Sequence, residues 1–298
     1  MSLLQRYCEY LLLEKKYSKH TVLAYENDIL QFQTFIKRQF QEDLLEKVNY
    51  TLIRSWIIKL SEEGLSNKSI NRKITSLKGF YKFLLKVKKI ERSPLAQHKS
   101  LKVSKKISIP FSQTEIETVL NHIDRDSFEN ARDYLLVELL YATGMRREEI
   151  VNLQLSNFNS DFTQVKFLGK RNKERMVPII KMIKPSIIHY LTYRKELLQD
   201  LEISSGHFFL TSKGKPIYPN LVYRRVNEFF KKVSTKTKTS PHILRHSFAT
   251  HLLNQGVNLQ EVKELLGHDS LVSTQVYIHN DIHSLKKVYQ NSHPRNKD

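Results

Sequence analysis

Apolar residues recur at helical spacing along most of this 298-residue chain, and they alternate as in a strand at one place. Four stretches within residues 1 to about 90 follow the helical pattern. Alternation is convincing over 164–168 and 174–179, on either side of the polar and basic turn 169–173. The sequence therefore predicts a mainly α-helical fold with a small β-hairpin. Two of these four predicted helices span about 18–37 and 51–63, and later predicted helices span about 128–141, 184–201 and 220–232.

The helical pattern lapses over residues 93–110, where lysines crowd the sequence. We expect this stretch to be a basic, flexible linker that can cross a phosphate backbone. Residues 1–92 before it are predicted to form a helical bundle. After it, Ser112–Glu115 has the pattern of a capping box that opens a second domain, 111–298, which includes the hairpin and is predicted to be α+β. The chain is long enough for two such domains.

The chain carries a large excess of positive charge. It has 49 basic and 30 acidic residues, which gives a net charge of +19 and a pI near 9.8. The first 106 residues hold 22 basic and 10 acidic residues, whereas the other 192 hold 27 and 20. A polyanion is therefore the expected partner, nucleic acid before an anionic membrane surface, and the N-terminal region is the part expected to bind its backbone.

The fourth predicted helix begins after Ser66 or Asn67 and separates apolar from basic residues. Its apolar side consists of Ile70, Ile74, Leu77, Tyr81 and Leu84. The basic side fits either a merely solvated face or a surface for nucleic acid, and the excess charge of this region favours the second interpretation. The candidate nucleic-acid contacts on this helix are Lys68, Arg72, Lys78 and Lys82.

Neither a membrane protein nor a disulfide-stabilised one is expected. No apolar run approaches the ~20 residues that a membrane-spanning helix needs, and the N-terminus lacks a signal-peptide pattern. Cys8 is the only cysteine, which excludes a disulfide framework and a cysteine zinc site. The sequence therefore predicts a cytoplasmic protein without a membrane partner.

The stretch Ser240–His246 gathers groups that suit an anion. It opens with a serine suited to cap a helix and a proline suited to its first turn, so His242 and Arg245 share a face near the positive helix end. His268 and Tyr277 follow in the sequence. Arginine, histidines and a phenol together indicate chemistry on a phosphate with a tyrosine as nucleophile. Taken alone, His242 and Arg245 would be interpreted as ordinary residues of a helix start.

In five segments, in the same order, the chain resembles the tyrosine recombinase (phage integrase) family, and within it the Xer-type resolvases. The likeness covers nearly the whole chain, including the helical N-terminal domain. A lone His-x-x-Arg is a weak signal, but five ordered segments are specific. The segments are Tyr141–Arg146, Gly169–Arg175, His242–Arg245, Leu265–His268 and Thr274–His279.

The resemblance implies roles for the basic residues. Arg146 and Arg245 would hold the non-bridging oxygens of the scissile phosphate, which suits the forked and permanently charged guanidinium. Lys170 would protonate the departing 5′-oxygen, with Lys173 as its rival for that role. Arg171 stands where the family usually has glycine, and it and Lys173 are expected to contact DNA. An acidic residue just after the first arginine, Glu149, is expected to orient an arginine or to cap its helix.

The resemblance also implies roles for the nucleophile and the histidines. Tyr277 would attack phosphorus and leave a 3′-phosphotyrosine link, while His242 exchanges a proton with it and His268 donates a hydrogen bond to the phosphate. Two successive transesterifications conserve the energy of the phosphodiester, so neither cofactor nor metal is expected. Other histidines near His242 give no closed ligand set with carboxylates, so no metal site is predicted.

The resemblance further implies a two-domain DNA clamp, in which an N-terminal helical bundle and a C-terminal α+β catalytic domain enclose double-stranded DNA at a specific recombination site. It implies a homotetramer, or a heterotetramer with a paralogue, that resolves chromosome dimers, and a septal DNA translocase as a further partner. The terminal helix, about 281–290, would dock on a neighbouring subunit or on its own domain. An integrase of a mobile element, a relaxing topoisomerase and a non-catalytic architectural protein are the alternatives.

Overall fold

The computed structural model describes residues 2–104, 109–168, 174–266 and 292. The chain divides into two compact units, Met1–Lys106 and Ile107–Asp298, and each unit has its own hydrophobic core. The predicted domain limits, 92 and 111, bracket this division. In the described part of the chain, helices are joined by one two-stranded antiparallel sheet, which confirms the predicted fold class.

The N-terminal unit is built from four helices whose first turns are capped by short polar side chains. The hydroxyl of Ser18 accepts the amide of Thr21, and the hydroxyl of Ser66 accepts the amide of Ser69. Such caps satisfy amides that have no partner within the helix. The helices are α1 (Leu3–Leu13), α2 (Lys19–Phe40), α3 (Tyr50–Glu62) and α4 (Asn67–Lys86).

Helix α4 contributes the centre of the N-terminal core, as its apolar pattern predicted. All five predicted apolar positions are buried, and the hydroxyl of Tyr81 donates a hydrogen bond to the carbonyl of Leu45 over 3.2 Å. Trp56 of α3 and Phe32 of α2 pack in the same core, with their ring centroids 5.1 Å apart. Burial of one face of α4 leaves its opposite face to solvent.

Part of the predicted linker 93–110 packs on the N-terminal unit. Leu95 is buried in its core. The side-chain amide of Asn71 on α4 exchanges two hydrogen bonds of 2.9 Å with the backbone of Leu101. An irregular segment can lie against a domain only when its backbone groups find such partners. Residues 95–101 therefore belong to the folded N-terminal unit, which the lapse of helical pattern did not reveal.

The C-terminal unit begins at the predicted capping box. The hydroxyl of Ser112 accepts the amide of Glu115, whose carboxylate in turn accepts the amide of Ser112, so the prediction is confirmed. The helices that follow are α5 (Gln113–Asn121), α6 (Phe128–Thr143), α7 (Arg147–Val151), α8 (Lys184–Asp200), α9 (Pro219–Val233), α10 (Pro241–Asn254) and α11 (Leu259–Leu266).

The hairpin lies between α7 and α8. Strands β1 (Gln164–Leu168) and β2 (Glu174–Pro178) are antiparallel, with Val165 opposite Val177. Both valines are fully buried, so one face of the hairpin packs into the core.

Helix α6 runs through the middle of the C-terminal unit and is buried on nearly every side. Two of its buried charged residues, Arg132 and Asp133, are paired with each other. The carboxylate of Asp133 accepts hydrogen bonds from the guanidinium groups of Arg132 and of Arg225 on α9, at 2.9 and 2.5 Å. A buried carboxylate is tolerated when it is paired in this way, and the pair fixes α9 against α6.

Candidate active site

The turn that precedes Arg146 favours a residue without a side chain. Gly144 ends α6 in the left-handed region, with φ at +59°, and its amide bonds the carbonyl of Leu140. A Cβ at this position would lie 2.5 Å from Phe248 and 2.9 Å from Leu266. The backbone thus comes close to α10 and α11, and then turns so that Arg146 stands directly before α7.

Glu149 holds Arg146 in two ways. Its carboxylate accepts the backbone amide of Arg146 over 2.7 Å and the Nη1 of the same arginine over 2.9 Å. The carboxylate side chain is only 8% exposed, so the pair is well fixed. Both roles expected for Glu149, orienting an arginine and capping the helix, are confirmed. The neighbouring Arg147 pairs instead with the exposed Glu148.

Arg245 joins two helix ends. It is buried, and it donates from Nη1 to the carbonyl of Gly144 over 2.5 Å and from Nη2 to the carbonyl of Leu266 over 2.7 Å. The first carbonyl lies two residues before Arg146, and the second lies two residues before His268 in sequence. One guanidinium therefore anchors the starting points of two segments that carry predicted site residues.

Helix α10 begins where the sequence predicts, but the predicted serine cap does not form. Ser240 occupies the N-cap position and Pro241 the first turn, yet the serine side chain makes no capping hydrogen bond. His242 is exposed in the first turn, and Arg245 follows one turn later. Because the hydroxyl does not cover the first amides, this helix end keeps the positive potential that attracts an anion.

Two hydrogen bonds fix α10 in the core. The amide of Phe111 donates to the hydroxyl of Ser247 over 2.7 Å, and Tyr141 of α6 shares a 2.9 Å hydrogen bond with Nδ1 of His251. Burial lowers the pKa of His251 and favours its neutral form. Within the described ranges, no group of three histidine, cysteine or acidic side chains could hold a metal ion.

An ion pair that the sequence did not predict braces the loop before α10. Lys236 in this loop pairs with Glu115 of α5, and Thr239 donates to the side chain of Asn227 on α9. Burial raises the pKa of the Glu115 carboxyl, but hydrogen bonds from Lys236, the side chain of Ser234 and the capped backbone outweigh burial and lower it to about 2. The capping-box pattern predicted that Glu115 caps α5, and in the fold it also forms the ion pair with Lys236.

The Glu115 pair is expected to weaken as pH falls from 4.5 towards 2. Because the folded-state pKa is below the ordinary value of 4.5, the stabilisation is complete above that value and is lost on acidification. Glu115→Gln should therefore flatten the acid side of a plot of unfolding free energy against pH. Glu117→Gln, an exposed position on the same helix, is the matched control. Equal slopes for the two variants would contradict this expectation.

Several predicted site residues lie outside the described residues, and their roles stay predictions. These are Lys170, Arg171, Lys173, His268 and Tyr277, together with the predicted terminal helix 281–290.

The predicted DNA contacts on α4 have different surroundings. Lys68 and Lys82 are exposed, and Lys78 is exposed and reaches the carbonyl of His98 over 3.4 Å. Arg72 binds the carboxylate of Asp28 on α2 through two hydrogen bonds of 2.6 and 2.7 Å. Sequence spacing could not reveal that pair, because its members are 44 residues apart.

Among the described residues, no helix combines the length and apolar character needed to cross a membrane.

Comparison with known proteins gives matches over both units. Residues 4–88 match the N-terminal SAM-like domain of phage integrases, and residues 110–283 match the phage integrase family. The chain is 37% identical over 293 residues to the tyrosine recombinase XerC of Anoxybacillus flavithermus, covering 98% of this chain and 97% of that protein. It is 35% identical to the XerC of Staphylococcus epidermidis strain RP62A, covering 96% and 95%.

Solved structures share the fold. The XerH site-specific recombinase bound to its difH substrate matches with a TM-score of 0.65 and 24% identity, covering 96% of this chain and 84% of that one. The Tn1549 transposon integrase in complex with transposon right end DNA matches with a TM-score of 0.68 and 18% identity, covering 96% and 99%. The domain matches and the sequence identity agree with the fold, and the chain belongs to the phage integrase family of tyrosine recombinases.

Proposed function

We propose that this protein is a site-specific DNA recombinase that cuts and rejoins DNA through a 3′-phosphotyrosine link on Tyr277, and that it resolves chromosome dimers. The observation that carries the proposal is the position of Arg245. Its guanidinium is bonded to the turn that presents Arg146 and to the end of α11, which leads to His268. One guanidinium thus fixes the backbone just before Arg146 and the end of α11, two segments far apart in the sequence.

Two arginines held in this way suit a phosphodiester. Arg146 is oriented by a nearly buried carboxylate and Arg245 by two carbonyls. Both side chains are therefore positioned before a phosphate binds. Phosphoryl transfer depends mainly on positioning and on stabilising the charge of the transition state. In the proposed reaction the Tyr277 phenol passes its proton to His242 as its oxygen bonds to phosphorus, and the 5′-oxygen leaves with a proton from Lys170. The reverse attack by a 5′-hydroxyl then restores the diester.

The proposed partner is double-stranded DNA that carries a specific recombination site. The net charge of +19 and the exposed Lys68 and Lys82 support it, as does the likeness to a recombinase solved with its difH substrate. We propose a tetramer on two duplexes, either homomeric or shared with a paralogue, with a septal DNA translocase as a further partner. The proposed location is the cytoplasm.

Covalent capture tests the proposal. The full chain is incubated with fragments of the host chromosome in the presence of EDTA, and complexes that survive SDS are collected. We expect DNA ends that cluster at one site and a nucleotide attached to the peptide that contains Tyr277. Attachment to another residue, or cleavage that EDTA abolishes, would overturn the assignment. Salt-sensitive binding without any adduct would indicate a non-catalytic DNA-binding protein.

A further inference from the structure

A buried carboxylate lies beneath the basic face of the N-terminal unit. The side chain of Asp28 on α2 is only 3% exposed. It accepts hydrogen bonds from Nη1 and Nη2 of Arg72, from Nζ of Lys73 at 3.0 Å and from the hydroxyl of Ser76 at 2.7 Å. Three residues of α4 thus converge on one acid of α2, and the acid is fully occupied.

The guanidinium of Arg72 is fixed, but only some of its N–H donors bind Asp28. Arginine has five N–H donors, and Arg72 gives one from Nη1 and one from Nη2 to Asp28. In the part of the chain that the structure describes, Asp28 is the one hydrogen-bond acceptor of this guanidinium. The side chain is also 50% exposed. The edge that carries Nε and the outer N–H groups is therefore available to an acceptor from solution.

The surroundings of that edge are positive. Arg72 and Lys73 together carry two positive charges against the one negative charge of Asp28, so the cluster keeps a net charge of +1. Lys68 lies one helical turn before Arg72 on the same face of α4, and Lys82 lies further along it. A phosphate on a long polyanion would therefore meet several positive charges along this face.

We propose that Asp28 is a positioning residue for DNA binding: it holds Arg72 so that the outward edge of the guanidinium forks onto a phosphate of the DNA backbone. The inference deepens the proposed function and rests on it, because it takes DNA as the ligand. A free arginine side chain loses rotamer entropy when it binds, and fixing it beforehand removes much of that cost. The rigid fork also matches two phosphate oxygens, which an ammonium group cannot do.

This role and simple charge counting predict opposite results for Asp28→Asn. Removing a negative charge near a DNA-binding face should strengthen binding of a polyanion if long-range attraction is all that matters. If Asp28 positions Arg72, the same substitution should weaken binding, because the arginine is no longer fixed. The direction of the change therefore decides between them.

The test measures the affinity of the full chain for a fluorescent duplex by anisotropy at several salt concentrations. Arg72→Gln and Asp28→Asn are each expected to weaken binding by about 3- to 10-fold, and Arg72→Gln should lower the salt slope by about one. The double variant should bind no more weakly than Arg72→Gln alone, because Asp28 acts through Arg72. Glu26→Gln, which removes an acid from the same helix, should not weaken binding.

Two results would overturn the inference: Asp28→Asn binding at least as tightly as Glu26→Gln, or losses that multiply in the double variant. If Asp28→Asn fails to fold by circular dichroism, Arg72→Lys decides the matter. It keeps the charge but loses the fork, so it should bind as weakly as Arg72→Gln, and wild-type affinity would refute the proposal. Wild-type chain that shows no salt-dependent duplex binding would refute the proposed function as well.

Discussion

Arg245→Lys is expected to lower the rate of strand cleavage by about 10²–10³-fold, the usual effect of losing one preorganised donor to a transition-state oxyanion. Lysine keeps the positive charge, but its ammonium is a point donor on a flexible stem. It cannot reach the carbonyls of Gly144 and Leu266 and also fork onto a phosphate. The substitution is therefore expected to remove the fixed geometry of the phosphate contact while the positive charge remains.

The chain offers a matched control for this variant. Arg194 is another buried arginine of the C-terminal unit, and it also donates to backbone carbonyls, those of Ser205, His207 and Phe208. Arg194→Lys should reduce stability while leaving the cleavage rate of the folded protein nearly unchanged. Single-turnover cleavage of a nicked duplex measures the rate for each variant, and each rate is divided by the fraction of protein that is folded. Similar rates for the two variants would contradict a direct role of Arg245.

Gly144→Ala is expected to destabilise the C-terminal unit by about 2–4 kcal/mol. An L-residue at φ +59° costs about 1 kcal/mol, and the new methyl group would overlap Phe248 and Leu266, which adds about 1–3 kcal/mol of overpacking. Because Gly144 also accepts the hydrogen bond of Arg245, relief of the overlap should displace that arginine. Urea unfolding measures the loss of stability, and cleavage assays show whether activity falls with it.

Gly256 separates the two causes. It has a φ of +87° in the same unit, but a Cβ there would meet nothing within 4 Å. Gly256→Ala should therefore show the backbone cost alone, about 1 kcal/mol. If both variants lose the same stability, close packing around Gly144 is not important and the explanation given for that turn fails.

The local features of this fold could be predicted from the sequence. The spacing of Ile70, Ile74 and Leu77 identified the buried face of α4, and Ser112 with Glu115 located the start of the second domain. These signals depend on residues within a few positions of one another, where helical geometry relates sequence to space directly. In the site, the same kind of signal located the turn at Gly144 and the start of α10.

The contacts that join distant segments could not be predicted in this way. Asp28 pairs with Arg72 across 44 positions, and Glu115 pairs with Lys236 across 121. A surface lysine and a paired lysine look the same in a sequence, because tertiary packing decides which acid lies within reach. For the same reason the sequence showed Arg245 as a candidate phosphate ligand but not as the link between α6 and α11.

The anchoring of Leu266 by Arg245 limits where the proposed nucleophile, Tyr277, can lie. Tyr277 is eleven positions after Leu266 in the sequence. A fully extended chain of that length spans at most about 40 Å, so the Cα of Tyr277 is confined to a sphere of that radius around the fixed Leu266. Arg245, the proposed phosphate ligand, is bonded to Leu266 itself, so the chain is long enough for Tyr277 to reach a diester held by Arg245 of the same chain.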